Sequence, residues 1–364
     1  MRRTMLGILI AVALAATACG DDGSSGDEAD GEVNEDAAPT SDPACDPDAP
    51  IPSGTTEATF DDDGVERTYR VSVPEGHDGS EAAPVIVNLH GFTSTAEQQD
   101  LLSGLADEGP AAGYVVVSPQ GLDTPVPIGG GVVAPFWNIT SAVDTSQLEE
   151  ATLEGADDIG FLNALLDQLE GDLCLDPERE YLTGMSNGAA MSMALLCDDD
   201  ERFAAAAPVA GAVFVSDCGA DELTPILAVH GDADVLAPYD GGDVLGFPLG
   251  LPGAVDQLSA LADVGGCDAE PALEMVGDDV ERRTWSGCAD GADIVLYTVL
   301  GGGHTWPGSP TFEDLSAEDL ADGGGSEQAA QAEQTFGFDL QEILGEPTDT
   351  IDVTELVLEY FDRH

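Results

Sequence analysis

Lysine is absent from the chain, and nine arginines stand as its strong bases against 72 Asp and Glu residues, for a formal charge of −63. That shortage excludes a nucleic-acid partner, because a phosphate backbone would be repelled rather than neutralised. Adhesion of the folded part to an anionic membrane surface is excluded on the same ground. Aromatic residues make up only 5% of the chain. No Cys-x-x-Cys pair occurs, so the usual zinc signature is missing, and no internal repeat suggests a solenoid. Asp61-Asp62-Asp63 and Asp198-Asp199-Asp200 read as hydrated acidic faces rather than calcium sites, and no cofactor is expected.

What is present begins with an export signal. Arg2 and Arg3 form a basic start, Met5 to Ala16 an apolar stretch too short to span a bilayer, and small residues lead to Cys19. Ala16-Thr17-Ala18-Cys19-Gly20 resembles a bacterial lipobox, which implies acylation of Cys19 and an extracellular protein held at the cell membrane by that anchor alone, with plain secretion as the other outcome. The expected organisation is a signal peptide over 1–18, an acidic disordered tether over 19–50, and a catalytic domain over 51–364 carrying an acidic, Gly-rich insertion at about 309–350. Only eleven acids fall within 20–50, so the folded part itself is coated in carboxylate. Such a surface holds water and suits high salt, where counterions screen the repulsion.

Six cysteines remain beyond Cys19: Cys45, Cys174, Cys197, Cys218, Cys267 and Cys288. An even number in an exported chain predicts disulfides. Cys267 and Cys288 flank a hairpin-like segment and are expected to pair; the connectivity of the other four is open.

From about Ile51 strands alternate with helices. Arg67 to Val73 alternates polar and apolar residues like an antiparallel edge strand, whereas Val85 to Leu89 is nearly all apolar and reads as buried on both faces. Further buried strands are expected at Tyr114–Val117, Tyr181–Thr183, Ala204–Val209, Pro225–Val229 and Ile294–Val299. Ile159, Leu162, Leu165, Leu166 and Leu169 share one helical stripe behind the acids Asp157 and Asp158. Strand-helix alternation of this kind predicts an α/β fold, a mostly parallel sheet with helices on both faces in a single domain.

The chemistry sits where those strands end. Gly184-Met185-Ser186-Asn187-Gly188 follows one strand and opens the small-residue helix Ala189 to Leu196, the strand-turn-helix setting that a nucleophile elbow needs. With 44 glycines in the chain the pattern alone is weak, and its position gives it weight. A serine hydroxyl attacks poorly unless a base takes its proton and a carboxylate orients that base. His304, in a glycine-rich loop after the strand ending at Val299, is the candidate base. His90 and His230 each follow a buried strand and read as structural imidazoles, while His77 and His364 read as solvated. Asp234 is favoured as the orienting acid with Asp232 as the alternative, which makes the chain order Ser, Asp, His. Backbone amides of Asn187 and Phe92 are the candidate donors to a developing oxyanion. Trp137 and Trp306 are candidate walls of a substrate cleft, and Trp285 reads as core.

Taken together, His90-Gly91-Phe92, Gly184-Met185-Ser186-Asn187-Gly188, His230-Gly231-x-x-Asp234 with Pro238-Tyr239, and Gly303-His304-Thr305-Trp306-Pro307 resemble the secreted polyhydroxybutyrate depolymerase, feruloyl and acetylxylan esterase group of α/β-hydrolases. The likeness runs from about Ile51 to Pro307 and includes Trp137-Asn138 and Asp157-Asp158, with a final helix at Val353–Phe361. It implies a serine esterase with Ser186 as nucleophile, His304 as base and Asp234 as orienter, acting through an acyl-enzyme on polyhydroxyalkanoate oligomers or on feruloyl or acetyl esters of plant polysaccharide. The chain departs from the group at Phe92, where a cysteine or small residue is usual, and in its acidic insertion. No stretch reads as a separate polymer-binding module, which argues against insoluble polyester. A peptidase on the same fold and a non-catalytic ligand-binding lipoprotein are the competing readings.

Overall fold

The computed structural model describes residues 51–125, 133–139, 156–198, 201–211, 223–244, 247–309, 345 and 348–364. The leader with Cys19, the tether, Cys45, Cys218 and nearly all of the acidic insertion lie outside the described residues.

The central sheet has ten strands: β1 (Gly54–Asp62), β2 (Val65–Val73), β3 (Ala83–Leu89), β4 (Val115–Pro119), β5 (Leu175–Met185), β6 (Ala205–Val209), β7 (Ile226–Gly231), β8 (Ala272–Val276), β9 (Val280–Trp285) and β10 (Ile294–Val299). Their spatial order is β1-β2-β4-β3-β5-β6-β7-β10-β9-β8. The middle, from β4 through β3, β5, β6 and β7 to β10, is parallel throughout. Antiparallel hairpins close both ends. This is the mostly parallel sheet expected of an α/β fold, with antiparallel strands added at its edges.

Parallel strands need crossovers, and these carry the helices. Successive side chains of β3 point to opposite faces. Val85, Val87 and Leu89 join the apolar layer with Phe161, Leu162, Leu165 and Leu166 of helix Asp158–Leu173, whereas Ile86 joins Tyr181, Val353, Val357 and Phe361 on the other side. Asp157 caps the first of these helices by accepting from the Gly160 amide. Asp352 caps the last, Val353–Phe361, by accepting from the Thr354 and Glu355 amides. Among the described residues no helix is long and apolar enough to cross a membrane.

One expectation changes. β2 is not an edge strand: β1 pairs along its whole length and takes the edge. The Thr- and acid-rich β1, GTTEATFDD, is exposed over most of its length, so its pattern did not separate it from the tether. The segment between Cys267 and Cys288 holds a true hairpin, β8 with β9, and the expected Cys267–Cys288 disulfide closes it. Cys174 and Cys197 are disulfide-bonded as well. Trp285, at the end of β9, is buried core.

Candidate active site

Ser186 stands directly after β5 with φ of +58°, in the left-handed region that a side-chain-bearing residue occupies at a cost of about 1–3 kcal/mol. Neighbouring glycines make the turn possible. A Cβ on Gly184 would lie 2.6 Å from the Leu89 carbonyl oxygen, and one on Gly188 only 2.1 Å from it. Neither fits, so β5 and helix Asn187–Asp198 press against the end of β3. The result is that His90-Gly91-Phe92 runs beside the serine: a Cβ on Gly91 would lie 3.5 Å from that of Ser186. Ser186 is half-buried, and its amide donates to Val209 of β6 at 2.9 Å.

Two strands further along the same carboxyl edge, the loops after β7 and β10 meet. A Cβ on Gly231 would lie 2.2 Å from the Gly302 carbonyl oxygen, and the Ala233 amide donates to that oxygen at 2.9 Å. His304 Nδ1 donates to Asp234 Oδ2 at 2.7 Å. Because a carboxylate only accepts, Nδ1 carries the proton and Nε2 is left with a lone pair. Burial alone would push the Asp234 carboxyl up, but the His304 imidazole, with hydrogen bonds from His230 and His304, holds it well below the usual carboxylate range. Its other oxygen, Oδ1, accepts from the Leu236 and Ala237 amides at 2.8 and 2.9 Å. Of the two aspartates, Asp234 is the one that meets His304. Asp232 is exposed, and its carboxylate accepts from the Gly301 amide at 2.5 Å. Among the described residues no hydrogen bond joins the Ser186 hydroxyl to His304.

His90 is buried. Its Nδ1 donates to its neighbour Gly91's carbonyl at 2.7 Å, and its Nε2 accepts from the Gly121 amide at 2.9 Å. Both ring nitrogens are therefore spent on loops, and burial pushes its pKa down to about 4. Below about pH 6.5 the unfolded chain takes up a proton that folded His90 refuses. This histidine should subtract stability as pH falls from about 6.5 to about 4, reaching about 3 kcal/mol. Urea unfolding of wild type and His90→Gln across that range is expected to show the variant's stability falling less steeply; parallel curves would contradict it.

Trp137 and Trp306 are not cleft walls. Trp137 is 0% exposed and Trp306 1%. The Trp306 indole N–H donates to Thr354 Oγ1 at 3.1 Å, which ties the His304 loop to the last helix. Trp137 does something the sequence did not announce. Its indole N–H donates to the His90 carbonyl at 3.0 Å, its amide donates to Asn187 Oδ1 at 2.8 Å, and its carbonyl accepts from Asn187 Nδ2 at 3.1 Å. It thus clamps the two segments carrying the expected oxyanion donors. Asn138 extends the clamp, its amide donating at 2.8 Å to the buried Asp158, which Arg67 pairs at 2.6 Å. Half-buried aromatic surface is found instead at Phe92, one residue beyond Gly91 and edge-on to Phe136 with ring centroids 6.0 Å apart. Among the described residues no cluster of three or more His, Cys, Asp or Glu gathers as a metal site.

No protein-family model matches the chain. A putative esterase, NocK, of Nocardia uniformis subsp. tsuyamanensis is 29% identical over 266 residues, covering 67% of this chain and 72% of that protein. Feruloyl esterase B of Piromyces equi is 29% identical over 246 residues, covering 65% of this chain, which spans 42% of that relative's length. Feruloyl esterase C of Emericella nidulans is 25% identical over 256 residues, covering 66% and 82%. Among solved structures, an acetyl xylan esterase from Aspergillus awamori superposes with a TM-score of 0.48 at 18% identity, covering 74% of this chain and 99% of that one.

Proposed function

We infer that this chain, a carboxylic ester hydrolase of the α/β-hydrolase fold related to the feruloyl esterases, works through a Ser186–His304–Asp234 triad and a covalent acyl-enzyme. The observation that carries the reading is the His304–Asp234 hydrogen bond, 2.7 Å long and set on the same sheet edge as the strained Ser186. His304 Nε2 takes the proton as Ser186 Oγ bonds to the ester carbonyl carbon. The carbonyl oxygen becomes an oxyanion, for which the amides of Phe92 and Asn187 are the proposed donors. Collapse breaks the bond to the alcohol oxygen, which leaves with the proton from His304. Water, deprotonated by the same nitrogen, then attacks the acyl carbon; the bond to Ser186 Oγ breaks, Oγ takes back the proton from His304, and the acid leaves. The Ser186–His304 hydrogen bond is the one that forms with substrate in place; such bonds are often long in free enzymes.

For the substrate we propose neutral esters with a small or aromatic acyl group, feruloyl and acetyl esters of polysaccharide being the leading class. Phe92, in the segment that runs beside the nucleophile, and its neighbour Phe136 offer a half-buried apolar surface. The net charge of −63 disfavours anionic esters and helps expel the carboxylate product. We place the enzyme outside the cell, anchored through Cys19; the disulfides at Cys267–Cys288, Cys174 and Cys197 fit an oxidising compartment. The test is a panel of methyl ferulate, p-nitrophenyl acetate, hydroxybutyrate oligomers and an amide analogue of the acetate. The esters should turn over and the amide should not, and Phe92→Ala should raise KM for methyl ferulate about 10-fold while changing that for the acetate less. Amide turnover equal to ester turnover would point to a peptidase, and no turnover at all to a binding protein.

A further inference from the structure

We propose that His230, which the mechanism above leaves unused, is a positioning residue for the triad, fixing the Asp234 carboxylate in the plane that lets one oxygen face His304. The inference rests on the triad reading. His230 lies within β7, is buried, and lies opposite Thr298 of β10 in register. Its ring meets Tyr239 edge-on at 5.8 Å, and the Tyr239 hydroxyl is hydrogen-bonded to Thr298 Oγ1 at 2.9 Å. The imidazole is therefore carried on a strand and packed against Tyr239 of the loop that follows it.

Its Nε2 lies 2.8 Å from the Ala237 carbonyl oxygen. A carbonyl only accepts, so this nitrogen carries a proton whether the ring is neutral or charged. The same nitrogen lies 3.3 Å from Asp234 Oδ2, so its one hydrogen is shared between the carbonyl and the oxygen that also accepts from His304 Nδ1 at 2.7 Å. Asp234 thus has one oxygen pinned by the backbone amides of Leu236 and Ala237 and the other between two imidazoles. The amides leave the carboxylate free to pivot about Oδ1. A donor standing on the strand removes that freedom and sets the direction in which Oδ2 points. Sequence reading of His230 as a structural imidazole bonded to a nearby loop described the Ala237 contact and missed the acid beside it.

Reach separates this role from mere packing. Glutamine at 230 extends an amide N–H to about where Nε2 stands, asparagine does not, and phenylalanine keeps the ring without a donor. His230→Asn and His230→Phe are expected to lower kcat for p-nitrophenyl acetate about 10- to 100-fold, as loss of a hydrogen bond to a charged group does, with KM unchanged. His230→Gln should return kcat to within about 3-fold of wild type. The downfield proton resonance of the His304–Asp234 bond should be lost or broadened in the first two variants and kept in the third. If the Phe variant fails to fold, the Asn and Gln pair decides. The proposal is overturned if Asn and Gln lose kcat equally, or if all variants keep wild-type kcat and only their melting temperatures fall. Ser186→Ala and His304→Ala run alongside: full activity in those two would remove the triad reading itself, whereas their inactivity with unchanged His230 variants removes this inference alone.

Discussion

Ser186→Ala is expected to lower kcat toward p-nitrophenyl acetate by about 10,000- to 1,000,000-fold with little change in KM or in the unfolding midpoint. The size follows from what the hydroxyl does. It is the atom that bonds to the substrate, so its loss leaves only the oxyanion donors and binding to accelerate attack by water. Stability should scarcely move, because alanine occupies the same left-handed backbone and Ser186 Oγ makes no hydrogen bond among the described residues. Esterase assays at high enzyme concentration, with freshly purified protein to limit wild-type contamination, measure it. A fall of less than about 100-fold would mean that another group attacks the ester.

Asp234→Asn should cost about 10,000-fold in kcat, and here the hydrogen bonds dictate the outcome. Oδ1 accepts from two backbone amides, so the asparagine must turn its carbonyl toward them. Its NH2 then takes the place of Oδ2 and faces His304 Nδ1, which becomes an acceptor. The proton moves to Nε2, where the base is needed, and the imidazole holds the wrong tautomer. The His230 N–H, 3.3 Å from Oδ2, would meet the same NH2, donor against donor. By contrast Asp232→Asn touches only an exposed carboxylate bonded to the Gly301 amide, and kcat should stay within about 3-fold of wild type. Equal losses in the two variants would show that the loop, and not the carboxylate facing His304, sets the rate.

The residues that meet at this sheet edge could be picked out in sequence because their motifs are local. Gly184-x-Ser186-x-Gly188 is dictated by one tight turn, and glycine stands at 231 because the loop before His304 crosses there at a distance no side chain allows. Apolar runs such as Val85–Leu89 declared the parallel strands for a similar reason, burial on both faces. What was hidden depends on partners far away in the chain. β1 is polar and exposed, and only its pairing with β2 makes it a strand. Trp137 sits 47 residues from His90 and 50 from Asn187, so nothing near it indicates that its indole is buried as a clamp. An aromatic residue beside a catalytic motif reads as a substrate wall until burial is known, and that error was made for Trp306 as well. Phe136 was overlooked because only its meeting with Phe92 gives it a place near the serine.

The central claim is that Ser186 forms a covalent bond to substrate carbon with help from His304. Incubation with a fluorophosphonate ester, followed by digestion and mass spectrometry, tests it most directly. The account predicts one adduct on the wild-type enzyme, on the peptide holding Ser186, lost in Ser186→Ala and strongly slowed in His304→Ala. Stoichiometric labelling of a different residue, or a wild-type enzyme that hydrolyses esters while staying unlabelled, would contradict it.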